Sequence, residues 1–300
     1  MELDLKRPEL KDRDLINRYL RYADTRSCEM TFANIYLWAR HYDVGFAIVE
    51  DMLVFGNTAG ETSFTVPVGP ADAKKSIDVL MAYCEEKGVP FQLHNVTKEE
   101  FEQLEQYYPR QLEIYYEREY ADYVYESEKL ATLSGKKYHS KKNHVNKFKK
   151  TYENWSYEPI SQDNVEECFQ MALRWRELNG CEANPDKHAE ICVTLNFLRL
   201  FDELEMRGGV LRVDGEIVAF TIGEPVGKRQ DTLVVHIEKA YSHVEGAYTM
   251  INQQFAAHEG VKFLYMNREE DMGEEGLRKA KLSYKPVFLI EKGVVRKRAL

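Results

Sequence analysis

The chain should fold as an α+β protein in two halves of similar element order, each holding a mixed, mainly antiparallel sheet flanked by helices. Three features lead there. Apolar residues recur at helical spacing in several stretches and alternate at strand spacing in others. Turn residues join neighbouring strands into hairpins. The order of elements after about residue 154 also echoes the order before 125, with a basic helix between.

In the first half, "KDRDLINRYLRYA" and "MTFANIYLWARHY" have helical spacing, and "FAIVEDMLVFGN" reads as a hairpin followed by the short strand "SFTVPVG". "ADAKKSIDVLMAYCEEKG" places Ile77, Leu80 and Cys84 on one helical face before a glycine stop. The strand "PFQLHNV", a short acidic helix and the strand "RQLEIYYER" complete it. In the second half, the strand "NWSYEPI" precedes a helix with Val165, Cys168, Phe169 and Ala172 at i, i+3, i+4 and i+7, and a second helix runs through Ile191, Leu195, Leu198 and Phe201. Asp214-Gly215 between two apolar runs predicts a hairpin, because both residues tolerate positive φ. The strand "DTLVVHIEKA", the helix "EGAYTMINQQFAAHEG", the strand "VKFLYMN", the short helix "EEGLRKAKLSY" and a final strand "KPVFLIEKG" follow. The expected division is 1–125, a basic linker helix over 126–153, and 154–300.

With 300 residues, 44% hydrophobic and 30% charged, the chain can bury a sizeable core and suits two domains better than one. Cys28, Cys84, Cys168, Cys181 and Cys192 are scattered without a C-x-x-C pair, so neither a zinc knuckle nor a redox dithiol is expected, and a reducing compartment fits. His139 and His144 are too sparse for a metal site, and none is expected. The N-terminus is charged and no apolar run approaches bilayer length, so a cytoplasmic, soluble protein is expected. A monomer is the expected state. A net charge of −9 excludes a surface that binds polyanions as a whole, so any phosphate contact must be local.

One stretch answers to that. "GKKYHSKKNHVNKFKK", residues 135–150, has seven lysines and no acid. As a helix it puts Tyr138, Val145, Phe148 and Tyr152 on one narrow stripe and leaves most of its cations outside. Lys141, Lys142, Asn143, Asn146, Lys147 and Lys150 are candidate contacts to tRNA or an anionic lipid headgroup, both of which present phosphates. A solvated linker helix fits the same pattern. Lys141 falls within the apolar stripe, which suits either snorkelling or a functional lysine.

The second-half element order resembles the GNAT acyltransferase fold. More specifically, "GLRKAKLSYKP" behind "YMNREEDMG", together with "TFANIYLW" and the basic helix, resembles the bacterial family related to the C-terminal domain of phosphatidylglycerol lysyltransferases. That family is built as two GNAT-like domains, as are the Fem-type aminoacyltransferases, and its larger members move an aminoacyl group from charged tRNA onto a lipid.

The resemblance implies where acyl-transfer groups would lie. Such a reaction needs a base, donors for the oxyanion and an acid for the leaving group. The fourth GNAT strand commonly carries the base, which points to Glu238 and His236; strand alternation puts both on one face with Val234. Two polar residues on a solvated face fit equally. Tyr284 follows the last helix at the usual place of a general acid, although 19 tyrosines make coincidence easy. Arg278, Lys279 and Lys281 form a cationic turn able to hold phosphate or carboxylate, or simply to be solvated. The GNAT pyrophosphate loop aligns with "HVEGAY": Gly246 is kept, His243 replaces Gln or Arg, Tyr248 replaces a small residue, and Glu245 adds negative charge. That pattern disfavours acetyl-CoA and suits an aminoacyl donor with a positive α-amine. The expected activity is aminoacyl transfer from charged tRNA to a lipid or small acceptor. A CoA-dependent N-acetyltransferase or a non-catalytic phosphate- or RNA-binding protein are the alternatives.

Overall fold

The computed structural model describes residues 3–57, 61–181 and 184–298. Two sheets carry the fold. The first half opens with α1 (Arg13–Leu20) and α2 (Phe32–Tyr42), then β1 (Gly45–Val49) and β2 (Met52–Asn57), joined as expected by a tight hairpin whose Glu50 and Asp51 both take positive φ. β3 (Ser63–Phe64) leads to α3 (Ala73–Lys87), capped by the Asp72 side chain accepting from Lys74 N at 3.0 Å and closed by Gly88 at φ 66°. Ile77, Leu80 and Cys84 of α3 are buried, as their spacing requires. β4 (Gln92–Thr97) runs into α4 (Lys98–Tyr107) through a Thr97–Glu100 capping box, and β5 (Leu112–Tyr116) ends this part.

Next come β6 (Asp122–Glu126), α5 (Ser127–Thr132) and the basic helix α6 (His139–Thr151). β7 (Trp155–Pro159), α7 (Val165–Leu178) and α8 (Pro185–Arg199) precede the hairpin of β8 (Arg207–Val213) and β9 (Glu216–Val226), turned by Asp214 and Gly215 at φ 51° and 87°. β10 (Thr232–Ala240), α9 (Ala247–His258), β11 (Tyr265–Asn267), α10 (Glu275–Ser283), β12 (Phe288–Ile290) and β13 (Lys292–Lys297) complete the chain.

The first sheet has the order β1-β2-β3-β4-β13-β5 and the second β12-β6-β11-β10-β9-β8-β7. The expected boundaries therefore need correction at both ends. β6, placed in the first domain up to residue 125, lies inside the second sheet, and residues 292–297, placed in the second domain, form a strand between β4 and β5 of the first. The expected single final strand is two, divided at Glu291. Sequence separation misled here, because strand pairing is set by contacts far apart in the chain.

One apolar cluster runs from Phe46, Leu53 and Phe55 of the first sheet through α1, α2, α7 and α8 to Phe220, Ile222 and Val234 of the second. The opposite face of the second sheet is covered by α5, α6 and α9, with Tyr138, Val145 and Phe148 packed against Met250 and Ile251. α6 is thus seated on the second sheet's outer layer through its predicted stripe. Among the described residues no helix is long and apolar enough to cross a membrane.

Candidate acyl-transfer site

The second sheet opens where its parallel pair, the only one among the described residues, ends. β10 and β11 pair from Thr232↔Tyr265 to Val234↔Asn267, whereas β10 stays bonded to β9 as far as Ala240. Asn267 turns the chain away: its amide donates to Arg26 O at 2.7 Å and Asp122 at 2.8 Å, its Oδ1 accepts from Glu269 N, and Glu269 takes φ 57°. Arg268 and Glu269 then reach back across the gap in opposite directions. Arg268 Nη2 donates to Glu238 at 2.8 Å, and Glu269 meets His236 at 2.7 Å.

The expectation that His236 and Glu238 share a face is overturned. A bulge between Val235 and Ile237 interrupts the alternation, so that Val234 and Ile237 both join the inter-sheet core. His236 faces that core, stacked on Phe197 at 5.2 Å, with Nδ1 on Glu269 and Nε2 on Glu224 at 3.1 Å. Burial disfavours its charge, but the two carboxylates outweigh burial and hold it up at about 9. An imidazole protonated at neutral pH and bonded at both nitrogens is no proton acceptor, so His236 is an unsuitable base.

Glu238 points the other way, towards α9. Asn252 Nδ2 donates to its Oε2 at 3.1 Å while Arg268 holds Oε1. The Arg268 guanidinium lies 4.8 Å from the centroid of the Tyr284 ring, and Lys141 Nζ lies 4.0 Å from it. Tyr284 is buried, which pushes its phenol up, and is hydrogen-bonded to Thr249. β10, the chain after β11, α6, α9 and the end of α10 thus bring Glu238, Arg268, Lys141, Asn252 and Tyr284 together. Arg268 Nη1 and Asn252 Oδ1 are buried without a hydrogen-bond partner among the described residues. Of this group the sequence reading named Glu238, Tyr284 and Lys141. Arg268 and Asn252 were missed: one follows a strand with no periodicity to mark it, and the other is a polar residue inside a buried helix.

The cationic turn does other work. Arg278 grips the buried Asp271 with two bonds of 2.8 Å, and Arg118 and Tyr123 share that carboxylate. Burial opposes ionisation of Asp271, yet these donors hold it well below the usual carboxylate range. Lys281 is buried and donates to the carbonyls of Arg268 and Glu270, bracing the segment that carries Arg268. Only Lys279 remains exposed, so the expected phosphate-binding surface is reduced to one residue.

Gly246, at φ 84°, caps α9 where α6 crosses it, beside a cleft of about 240 Å³ lined by His144, Lys147, Thr151, Tyr241 and Tyr248. His243 stacks on Tyr241 at 5.3 Å. Glu245 is paired with Lys147 at 2.6 Å, so it is no uncompensated charge and Lys147 no free phosphate ligand. Lys142, Asn143, Asn146 and Lys150 are exposed on α6. Elsewhere Cys28, Glu29 and Asp122 offer ligand atoms within 4.8 Å of one another, but Lys292 Nζ donates to both carboxylates and already supplies a positive charge.

The sequence profile described as phosphatidylglycerol lysyltransferase, C-terminal, matches residues 20–295. A conserved protein of unknown function from Bacteroides thetaiotaomicron VPI-5482 superposes with a TM-score of 0.92 at 38% identity, over 99% of this chain and 100% of that one. L-PGS from Bacillus licheniformis superposes at 0.66 with 15% identity, over 100% of this chain and 96% of that one, and so shares the fold. An uncharacterized protein of Mycoplasmoides gallisepticum is 27% identical over 177 residues, and the chain spans only 56% of that relative's length. A profile that spans nearly the whole chain, including both exchanged strands for most of their length, settles the kinship: the protein belongs to the phosphatidylglycerol lysyltransferase C-terminal family.

Proposed function

We propose that the protein transfers an aminoacyl group from charged tRNA to a hydroxyl or amine of a lipid or small acceptor, acting in the cytoplasm as a monomer. The observation that carries this reading is the unpartnered Arg268 Nη1, buried beside Glu238 at the opening between β10 and β11. A guanidinium donor held in a low-dielectric site suits a carbonyl oxygen that becomes an oxyanion. Glu238 takes the proton from the acceptor as its oxygen or nitrogen bonds to the acyl carbon. Tyr284, kept protonated by burial, gives a proton to the tRNA 3′ oxygen as the ester bond breaks. The exposed Lys142 and Lys150 of α6 support the same reading as phosphate contacts for tRNA.

Release of amino acids from bulk charged tRNA, with and without phosphatidylglycerol vesicles, tests it. Glu238→Gln should lower the rate about 100-fold or more, the usual weight of a general base. No release by the wild type would leave a phosphate- or RNA-binding protein without chemistry, and equal measurable rates would remove Glu238 as the base. The Lys147–Glu245 pair removes one objection to a pyrophosphate at the α9 cleft, and favours acetyl-CoA as the competing donor. Tight acetyl-CoA binding by calorimetry would make the protein an acetyltransferase instead.

A further inference from the structure

Of the five cysteines, four are buried and Cys192 is partly exposed. It lies on α8 one turn after His188, and its Sγ stands 3.7 Å from His188 Nε2. Residues four apart project from the same side of a helix, which is how a helix offers two ligands to one metal. Zinc holds a thiolate at about 2.3 Å and an imidazole nitrogen at about 2.0–2.1 Å, and a tetrahedral angle then sets the two ligand atoms about 3.6 Å apart. The Cys192–His188 pair already has that spacing.

A third ligand is offered from the other half of the chain. α2 packs against α8, and the last turn of α2 faces the first turn of α8. There Asp186 acts on Tyr42, adding to burial and Glu270 in raising its phenol, and the charge of His188 acts on His41, adding to burial and Arg40 in lowering its imidazole. Both histidines are exposed, so their rings are free to turn towards a shared ion. Spacing along the chain hid the set, because His41 belongs to another helix.

We propose that Cys192, His188 and His41 form a site for a divalent cation of the zinc class, with the fourth position open to water. One thiolate and two imidazoles suit a borderline-soft ion, whereas Mg2+ and Ca2+ require oxygen ligands. The thiol gives up its proton as the metal–sulfur bond forms. The bound ion ties α2, in the first half of the chain, to α8, in the second. The site uses none of the residues of the acyl-transfer reading and stands or falls without it.

Cobalt(II), a zinc surrogate whose tetrahedral thiolate complexes absorb strongly, tests it. The whole chain, with its thiols kept reduced, is titrated with Co2+ and then with competing Zn2+, as wild type, Cys192→Ser, His188→Ala and His41→Ala. The wild type should take up one equivalent with a thiolate-to-cobalt charge-transfer band, and Zn2+ should displace it. Cys192→Ser should lose the band, since the four remaining cysteines are buried. Each histidine variant should bind about tenfold or more weakly, because one ligand of three is gone. No band in the wild type, a band that survives Cys192→Ser, or unchanged affinity in His41→Ala overturns the proposal. Melting of the metal-free variants, expected to match the wild type because all three side chains reach solvent, excludes misfolding as the cause of any loss.

Discussion

His236 shows how one backbone irregularity changes a residue's chemistry. Without the bulge at Val235–Ile237 it would stand beside Glu238; with it, the ring is clamped between Glu224 and Glu269 in the inter-sheet core. Its folded pKa of about 9 exceeds the ordinary 6.5. Charging it therefore stabilises the fold fully below pH 6.5, and the benefit is lost as pH rises through about 9. Denaturant titrations of the wild type should show falling stability across that window, and His236→Gln should flatten the fall. A wild-type curve level from pH 6 to 10 would contradict the clamp. Glu238 was legible from strand position and Tyr284 from its place after the last helix, whereas a bulge in "VVHIE" has no sequence mark, since any of these residues can occupy one.

The helix α6 was read correctly at its apolar edge and incompletely at its charged one. Spacing alone placed Tyr138, Val145 and Phe148 inside, and all three are buried. Charge alone could not reveal that Lys147 is taken by Glu245 or that Lys141 lies on an aromatic ring. The two roles of the helix should separate by experiment. Phe148→Ala should cost about 3–5 kcal/mol in chemical unfolding by leaving a cavity. Lys142→Glu with Lys150→Glu should leave stability nearly unchanged, exposed charges contributing about 0–1 kcal/mol each. The double variant should reduce the log–log salt dependence of tRNA binding by roughly 0.7–0.9 per phosphate contact removed. An unchanged salt slope would mean that these lysines meet only water.

At the scale of the whole molecule, α+β character and the division into two sheets were legible, but the exchange of strands between them was not. The stretch "EKGVVRK" carries Lys292, a residue type seldom buried, and nothing in it marks a strand of the first sheet. In the fold that lysine is 1% exposed and bonded to Asp122, at the first residue of β6, at 2.8 Å. The pair joins the two crossing strands at their starts. Lys292→Met should cost about 3–5 kcal/mol by leaving Asp122 buried and uncompensated, and Asp122→Leu combined with Lys292→Met should cost less than the two single changes summed. Strict additivity would show that the pair is not coupled.

The exchange also bears on how the protein is made. Synthesis runs from the N-terminus, so β4 and β5 leave the ribosome long before the strand that must lie between them. Until residue 297 emerges, β5 has no neighbour, because among the described residues β13 is its only partner in the first sheet. The first half to be synthesised is thus the last to close. The nascent chain carries β4 and β5 with open edges through most of its translation, and a stop codon that removes residues 292–297 leaves the damage far upstream, at β4 and β5.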